Sequence, residues 1–235
     1  MTSSARLFAI GDIHGNLTAL NALLTAIEPT PQDTLVFLGD FVDRGSDSKG
    51  VIDRIQDLMF SGVAQVVALQ GNHEQALLMA HLANKDQGQE SIDHHWRTTM
   101  GGQACVDSYV DGQVSADHIQ FILQLSSFYE TDRFIFTHAP ISPTLPVEQQ
   151  TSAELFWRFC GQDELAQGRS HISGKTLVNG HQALGRCPTK VGNAWFVDTG
   201  MPYANGWLSA LELNSLQAIQ ANGRGQIRRV DCTPD

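Results

Sequence analysis

Positive charge is scarce in this chain: 15 Lys and Arg stand against 25 Asp and Glu in 235 residues, a formal net charge of −10. Proteins that follow nucleic acid by neutralising phosphates concentrate the opposite sign, so the balance argues against a partner of that class. Cysteine is also sparse. Cys105, Cys160, Cys187 and Cys232 lie far apart and form no CxxC pair, which removes a zinc knuckle and a redox dithiol and leaves free thiols of the cytosolic kind. Long apolar runs are missing. No stretch approaches the roughly eighteen residues of a membrane span, and the apolar run in MTSSARLFAI is too short for a signal core. The expected location is cytoplasmic, with no membrane partner.

What is present is a repeating strand, loop and helix pattern. LFAI, LVFL and VVAL are short, continuous apolar runs, as expected of strands covered on both faces. Between them, Leu17, Leu20, Leu23, Leu24 and Ile27 recur at helical spacing, as do Val51, Ile52, Ile55, Leu58 and Met59, with Ser46 or Asp47 placed to cap the second helix. Alternation of this kind predicts an α/β fold with a largely parallel sheet in the first half. The segments 84–112 and 139–175 are polar or Pro-interrupted and read as excursions from one domain spanning 1–235. Helices are expected over SADHIQFILQL and SAELFWRF, and RFIF is a strand. TLVNGH, AWFVDTG and WLSALEL suit antiparallel hairpins, and the last dozen residues read as a tail.

The chemistry-bearing residues sit where these apolar runs end. Asp12 and His14 in GDIHGN, Asp40 in LGDFVDRG, Asn72 in GNHE, His138 in FIFTHAP and His181 in VNGH each follow a strand candidate by a few positions. In open α/β sheets ligand sites form beyond the carboxyl ends of strands, so side chains distant in sequence can meet there. Carboxylate, amide oxygen and imidazole together suit divalent Mn, Fe or Zn, and the lack of Cys donors argues against a closed structural zinc site. Two ions sharing an Asp would account for the number of donors.

GDIHG, GDFVDRG and GNHE, with 28 positions from Asp12 to Asp40 and 32 from Asp40 to Asn72, resemble the three-part signature of the calcineurin-like metallophosphoesterases, in their phosphoprotein phosphatase branch. HAPISP, Gly180–His181 and VDTG extend the resemblance over most of the chain. It implies a four-layer α/β/β/α sandwich of two mixed sheets. It implies one ion held by Asp12, His14 and Asp40 and a second by Asp40, Asn72, His138 and His181, with a bridging hydroxide as nucleophile. His73 and Asp43 would form the pair that protonates the leaving oxygen, and Arg44 would fork the phosphoryl oxygens. Arg158 is the candidate for a second phosphate-binding arginine, with Arg169 as its alternative.

Gln70 stands where eukaryotic relatives read LRGNHE, and DTGMPYANG replaces their SAPNY loop, which points to the bacterial and phage type. After His181 come Gln182 and Ala183, so the second His of the GHxH found in diesterase relatives is missing. The implied activity is hydrolysis of phosphomonoesters, on phosphoserine or phosphothreonine and also phosphotyrosine in proteins. The alternative is a symmetric bis(5'-nucleosyl)-tetraphosphatase acting on dinucleoside polyphosphates. A non-catalytic metal-binding scaffold would be marked by a lost ligand or a lost His73, and the sequence shows neither. Manganese is the expected metal. His81, His94, His95, His118 and His171 read as helix-surface or solvated loop residues, and the four tryptophans as packing residues. Asp198 is either a carboxylate behind a ligand histidine or a turn residue.

Overall fold

The computed structural model describes residues 5–85, 90–168 and 170–234. Three β-α units open the chain: β1 (Leu7–Ile10) with α1 (Leu17–Ile27), β2 (Thr34–Phe37) with α2 (Ser48–Ser61), and β3 (Gln65–Ala68) with α3 (Asn72–Lys85). Short helices follow, α4 (Glu90–His95), a π-helical turn over Trp96–Met100, α5 (Gly102–Asp107) and α6 (Ala116–Leu123). Then come β4 (Phe128–Glu130), β5 (Phe134–Thr137), α7 (Ser152–Phe156), α8 (Gln162–Gln167) and β6 (Thr176–Asn179). The chain closes with β7 (Thr189–Val191), β8 (Ala194–Phe196), β9 (Leu208–Glu212), β10 (Gln217–Ala221) and β11 (Ile227–Asp231).

The strands form two mixed sheets, ordered β11-β10-β9-β1-β2-β3 and β4-β5-β6-β8-β7. β1, β2 and β3 are parallel, and β9 joins them by pairing antiparallel with β1, Ala9 opposite Leu211. In the second sheet β5, β6 and β8 are parallel, with β4 and β7 as antiparallel edges. Successive strand residues point to opposite faces. Phe8, Ile10, Leu35 and Phe37 therefore enter the core beneath α1 and α2, while Ala9, Val36 and Leu38 enter a second core between the sheets. Phe134, Phe136, Val178 and Trp195 meet them from the other sheet. Ile135 and Leu177, on that sheet's outer face, pack under Ile141, Val147, Leu155 and Phe156. The layers are thus α/β/β/α, with a thin fourth layer. Continuous apolar runs were needed because both strand faces are buried.

Asp47, not Ser46, caps α2 by accepting the Gly50 N–H, and Asn16 caps α1 through the Ala19 N–H. Met59 leaves the buried stripe of α2 and is 43% exposed. Three further expectations differ from the structure. Within 84–112 the described residues are largely helical, and Trp96, Cys105, Val106 and Tyr109 enter the core, so the segment adds to the helical layer. The final dozen residues include an edge strand, β11, paired with β10 from Gln217 opposite Asp231 to Ala221 opposite Ile227. β6 and β8 pair parallel with each other, although β8 does form an antiparallel hairpin with β7 and β9 one with β10. All four cysteines are free, and no helix among the described residues is long and apolar enough to cross a membrane.

Candidate metal centre

The loops after β1, β2, β3, β5 and β6 meet at one end of the sheets, and their backbones are bent to aim side chains inward. Among the described residues eight non-glycine positions have positive φ, and His14 (47°), Asp40 (53°), Asp43 (72°), Arg44 (67°) and His181 (60°) are five of them. Left-handed backbone at such residues costs on the order of 1–3 kcal/mol each and persists only where surrounding contacts impose it. Glu74 supplies such contacts. Its carboxylate accepts the backbone N–H groups of Asp40 (2.9 Å), Phe41 (2.8 Å), Val42 (3.3 Å) and Gly71 (2.8 Å), clamping the Asp40 turn to the start of α3. Glycine is required at 71, since a Cβ there would strike the Asp40 carboxylate and backbone.

Asp40 lies at the centre. His14 Nε2 is 3.6 Å from its Oδ2, His138 Nε2 is 3.4 Å from its Oδ1, and the His73 N–H donates to Oδ1 at 3.0 Å. Two sets of donors that could hold a metal share it: His14, Asp40 and His73, and Asp40, His138 and His181. Asn72 stands between the members of the second set. Asp12 is buried beside them, its carboxylate accepting the His181 N–H at 3.0 Å. His73 joins His14 and Asp40 in the first set by distance, and the Asp12 carboxylate is buried alongside.

Tautomers follow from the carbonyls. His138 Nδ1 donates to the Leu38 carbonyl at 2.8 Å and His14 Nδ1 to that of Val42 at 3.0 Å, which turns both Nε2 lone pairs toward the centre. The Asn72 amide end then faces four acceptors: His138 Nε2 at 2.9 Å, Asp40 Oδ2 at 3.2 Å, His181 Nδ1 at 3.2 Å and Asp40 Oδ1 at 3.3 Å. An amide NH2 has two hydrogens and cannot satisfy four acceptors, whereas cations ligated by oxygen and imidazole lone pairs can. The donor set fits divalent metal.

Electrostatics agree. Burial, reinforced by Asp198 and Asp40, holds the Asp12 carboxyl well above the usual carboxylate range, and burial with Glu74 nearby does the same to Asp40. Burial pushes His14 down to about 3 and His181 to about 4, and also lowers His138, with His181 adding to the effect. Unprotonated imidazoles are the form that binds metal, and crowded carboxylates need positive charge to stay ionised. Asp198, expected either behind a ligand or in a turn, is buried with its pKa raised to about 6 by desolvation, and its Oδ1 accepts the Gly200 N–H.

Beside the centre, His73 Nδ1 donates to Asp43 Oδ2 at 2.7 Å, and Trp96 Nε1 donates to the same oxygen at 2.9 Å. His73 Nε2 is left facing Asp40 Oδ2 at 3.9 Å. Arg44 Nη1 donates to His14 Nε2 at 2.7 Å, and its guanidinium lies 5.4 Å from the Tyr203 ring centre. Arg158 is engaged elsewhere, by Glu164 at 2.5 Å and by the Pro140 and Ile141 carbonyls, while its neighbour Phe159 packs 4.3 Å from the His181 ring. Arg169 lies outside the described residues.

A family model for calcineurin-like phosphoesterases matches residues 5–188. The chain belongs to that family. Membership makes it a hydrolase of phosphoesters dependent on divalent metal. It is 26% identical to serine/threonine-protein phosphatase 1 of Salmonella typhimurium over 82% of this chain and 85% of that one. It is 25% identical to serine/threonine-protein phosphatase 2 of Escherichia coli over 83% and 88%. These similarities place this phosphoesterase in the phosphoprotein phosphatase branch. A symmetrical bis(5'-nucleosyl)-tetraphosphatase of Pectobacterium carotovorum is 41% identical over 75 residues, 32% of this chain and 25% of that relative. The fold is shared with a solved structure described as a candidate diadenosine tetraphosphatase (TM-score 0.64, 24% identity, 100% and 96% covered).

Glu74 and Trp96 were not singled out by their sequence context. Glu74 stands three positions after Gly71, at the spacing by which a helix's third residue reaches back to its cap, and that was the available signal. Trp96 offered none. His118 and His171, expected in solvent, are buried: His118 lies between Tyr109 Oη (2.7 Å) and Asp53 (3.0 Å), and His171 between Ser173 Oγ (2.7 Å) and the Leu145 carbonyl (2.8 Å).

Proposed function

We propose that this phosphoesterase removes phosphate from phosphoserine and phosphothreonine in proteins, and also from phosphotyrosine. The observation that carries its chemistry is the His73–Asp43–Trp96 arrangement, which fixes one imidazole nitrogen and leaves the other facing the metal ligands. Asp12, His14 and Asp40 would hold one ion and Asp40, Asn72, His138 and His181 another, manganese being our assignment. When bound, the ions polarise the phosphoryl oxygens and lower the pKa of water to supply a nucleophile near neutral pH.

The side chains do the rest. Arg44 donates to the His14 lone pair that an ion would take, so with that lone pair occupied its guanidinium would be free to bind phosphoryl oxygens in a fork. Burial, followed by the neighbouring His14, lowers the pKa of His73 below its ordinary value. A phosphate dianion arriving at Arg44 opposes those effects and lets Nε2 hold the proton that the leaving alkoxide needs. Asp43 accepts from Nδ1 and keeps that tautomer. Arg158 would join Arg44 only by leaving Glu164. The four free thiols accord with a cytoplasmic enzyme, and the antiparallel pairing of β9 with β1 accords with one catalytic domain.

Similarity over more than four-fifths of both chains to two serine/threonine phosphatases supports the protein substrate, and the local match to a tetraphosphatase supports the second reading, a dinucleoside polyphosphate hydrolase. Manganese-loaded protein should give the higher kcat/KM on a phosphoserine peptide than on diadenosine tetraphosphate, and preference for the dinucleotide would replace the first reading with the second. His73→Asn should retain both ions while kcat on the peptide falls roughly 10²–10⁴-fold. A loss equally deep on an aryl phosphate, whose leaving group needs little protonation, would count against the acid role.

A further inference from the structure

Beyond the metal centre, the turn at Met201–Gly206 and the β10–β11 hairpin enclose a cavity of about 550 Å³. Its walls carry Arg186, Arg224 and Arg228, and no Asp or Glu lines it. That distribution is unexpected in a chain of 15 basic and 25 acidic residues. None of these three arginines forms an ion pair among the described residues, unlike Arg6, Lys49, Arg97, Arg158 and Lys175. Arg54, Arg133, Lys190 and Arg229 elsewhere on the chain also form none, so it is the clustering of three in one cavity without a carboxylate that is unusual. The framework is fixed. Arg228 stacks 4.2 Å above Trp207, donates from Nε to Gln220 Oε1 at 2.7 Å and from Nη2 to the Arg186 carbonyl at 2.8 Å. Gln220 Nε2 donates to that same carbonyl at 2.9 Å, so the backbone carrying Arg186 is bound to β10 and β11.

The cavity is continuous with the catalytic side. Tyr203, one of its walls, lies against Arg44, and Asn16, another, caps α1 two residues after His14. We propose that this cavity is a specificity subsite for the acidic residues that flank the phosphorylated residue of a peptide substrate. The inference rests on the phosphoprotein reading above. Arg186 and Arg224 are exposed and carried on separate elements, a spacing suited to carboxylates distributed along an extended chain rather than to one compact anion. Arg228 lies on β11, an edge strand of the six-stranded sheet, beside which an extended backbone has unpaired main-chain groups to meet.

The test compares kcat/KM for two phosphoserine peptides, one with Asp and Glu around the phosphoserine and one with Ser and Ala in their place, in wild type and in Arg186→Ala/Arg224→Ala. Wild type should prefer the acidic peptide by about tenfold or more, through KM, with the preference shrinking as salt rises. The double variant should lose most of that preference, and Arg186→Glu/Arg224→Glu should reverse it while circular dichroism shows the fold intact. Equal use of both peptides by wild type, or a preference the variants retain, overturns the subsite and leaves the phosphatase reading standing. Hydrolysis of an aryl phosphate with neither peptide cleaved overturns both. Preference for diadenosine tetraphosphate, with a KM that the double variant raises, would reassign the cavity to polyphosphate.

Discussion

Replacing Glu74 by Gln isolates the contribution of one carboxylate to the metal centre. In the native structure Oε2 accepts from Asp40 and Gly71, and Oε1 from Phe41 and Val42, so every lone-pair direction is met by a backbone N–H. Glutamine keeps the shape but presents an NH2 to one of those pairs whichever way it turns, leaving two buried N–H groups opposite another donor. With about 1–3 kcal/mol for each of the two unsatisfied buried donors, the loss should be about 2–6 kcal/mol. Removing a charge beside Asp40 gives some of this back, since Glu74 raises the Asp40 pKa. That relief is smaller in the metal-loaded protein, where Asp40 faces cations. Thermal unfolding with manganese present should fall by about 10 °C for a chain of this size. Metal affinity should drop roughly 10–100-fold by calorimetric titration, because the Asp40 turn relaxes from its left-handed conformation. Unchanged affinity, together with a stability loss below about 1 kcal/mol, would refute the view that Glu74 holds the shared ligand in place.

Chelation and pH should act together. Asp12, Asp40 and Asp198 have folded pKa values raised by burial above their unfolded ones, so their stabilisation belongs to the protonated form. It is present at low pH and lost as pH rises through the folded value, about 6 for Asp198. Metal binding selects the deprotonated ligands, so the gap in melting temperature between manganese-loaded and chelated protein should widen from about pH 5 to about pH 8, and a constant gap would contradict it. Asp33→Asn should behave in the opposite sense. Although burial alone would raise it, Asp33 is lowered by hydrogen bonds from Arg6 and Thr30, so its contribution of about 2 kcal/mol should be full above pH ~4 and vanish in acid. Denaturant titrations of both forms across that range would check it.

The readable parts of this molecule were those determined by local pattern. Runs such as LFAI had to be buried on both faces, and the structure sends Phe8 and Ile10 to one core and Ala9 to the other. That the candidate donors would meet was readable because each follows such a run by a few positions. What sequence left hidden depends on partners brought from far away. His118 is buried because Asp53, 65 positions earlier, comes to meet it, and Trp96 joins the site because Asp43 lies 53 positions before it. β11 was hidden for a different reason. An edge strand buries only part of its surface, and IRRVD alternates exposed and half-buried residues, so its composition resembles that of a tail.

These long-range contacts explain how the centre can form at all. Five left-handed non-glycine residues and a crowd of buried carboxylates and imidazoles would together cost more than a domain's net stability of about 5–15 kcal/mol if nothing opposed them. Part of the opposition comes from the protein, through the Glu74 clamp and the Leu38 and Val42 carbonyls that orient two imidazoles. The remainder is electrostatic, because Asp40 and Asn72 direct oxygens at one another and at imidazole nitrogens, with the Asp12 carboxylate buried close enough to feel Asp40. Packing can set such acceptors in place but cannot reconcile them. Positive charge would reconcile them, and three of the five strained residues, His14, Asp40 and His181, are among the donors grouped where it would sit.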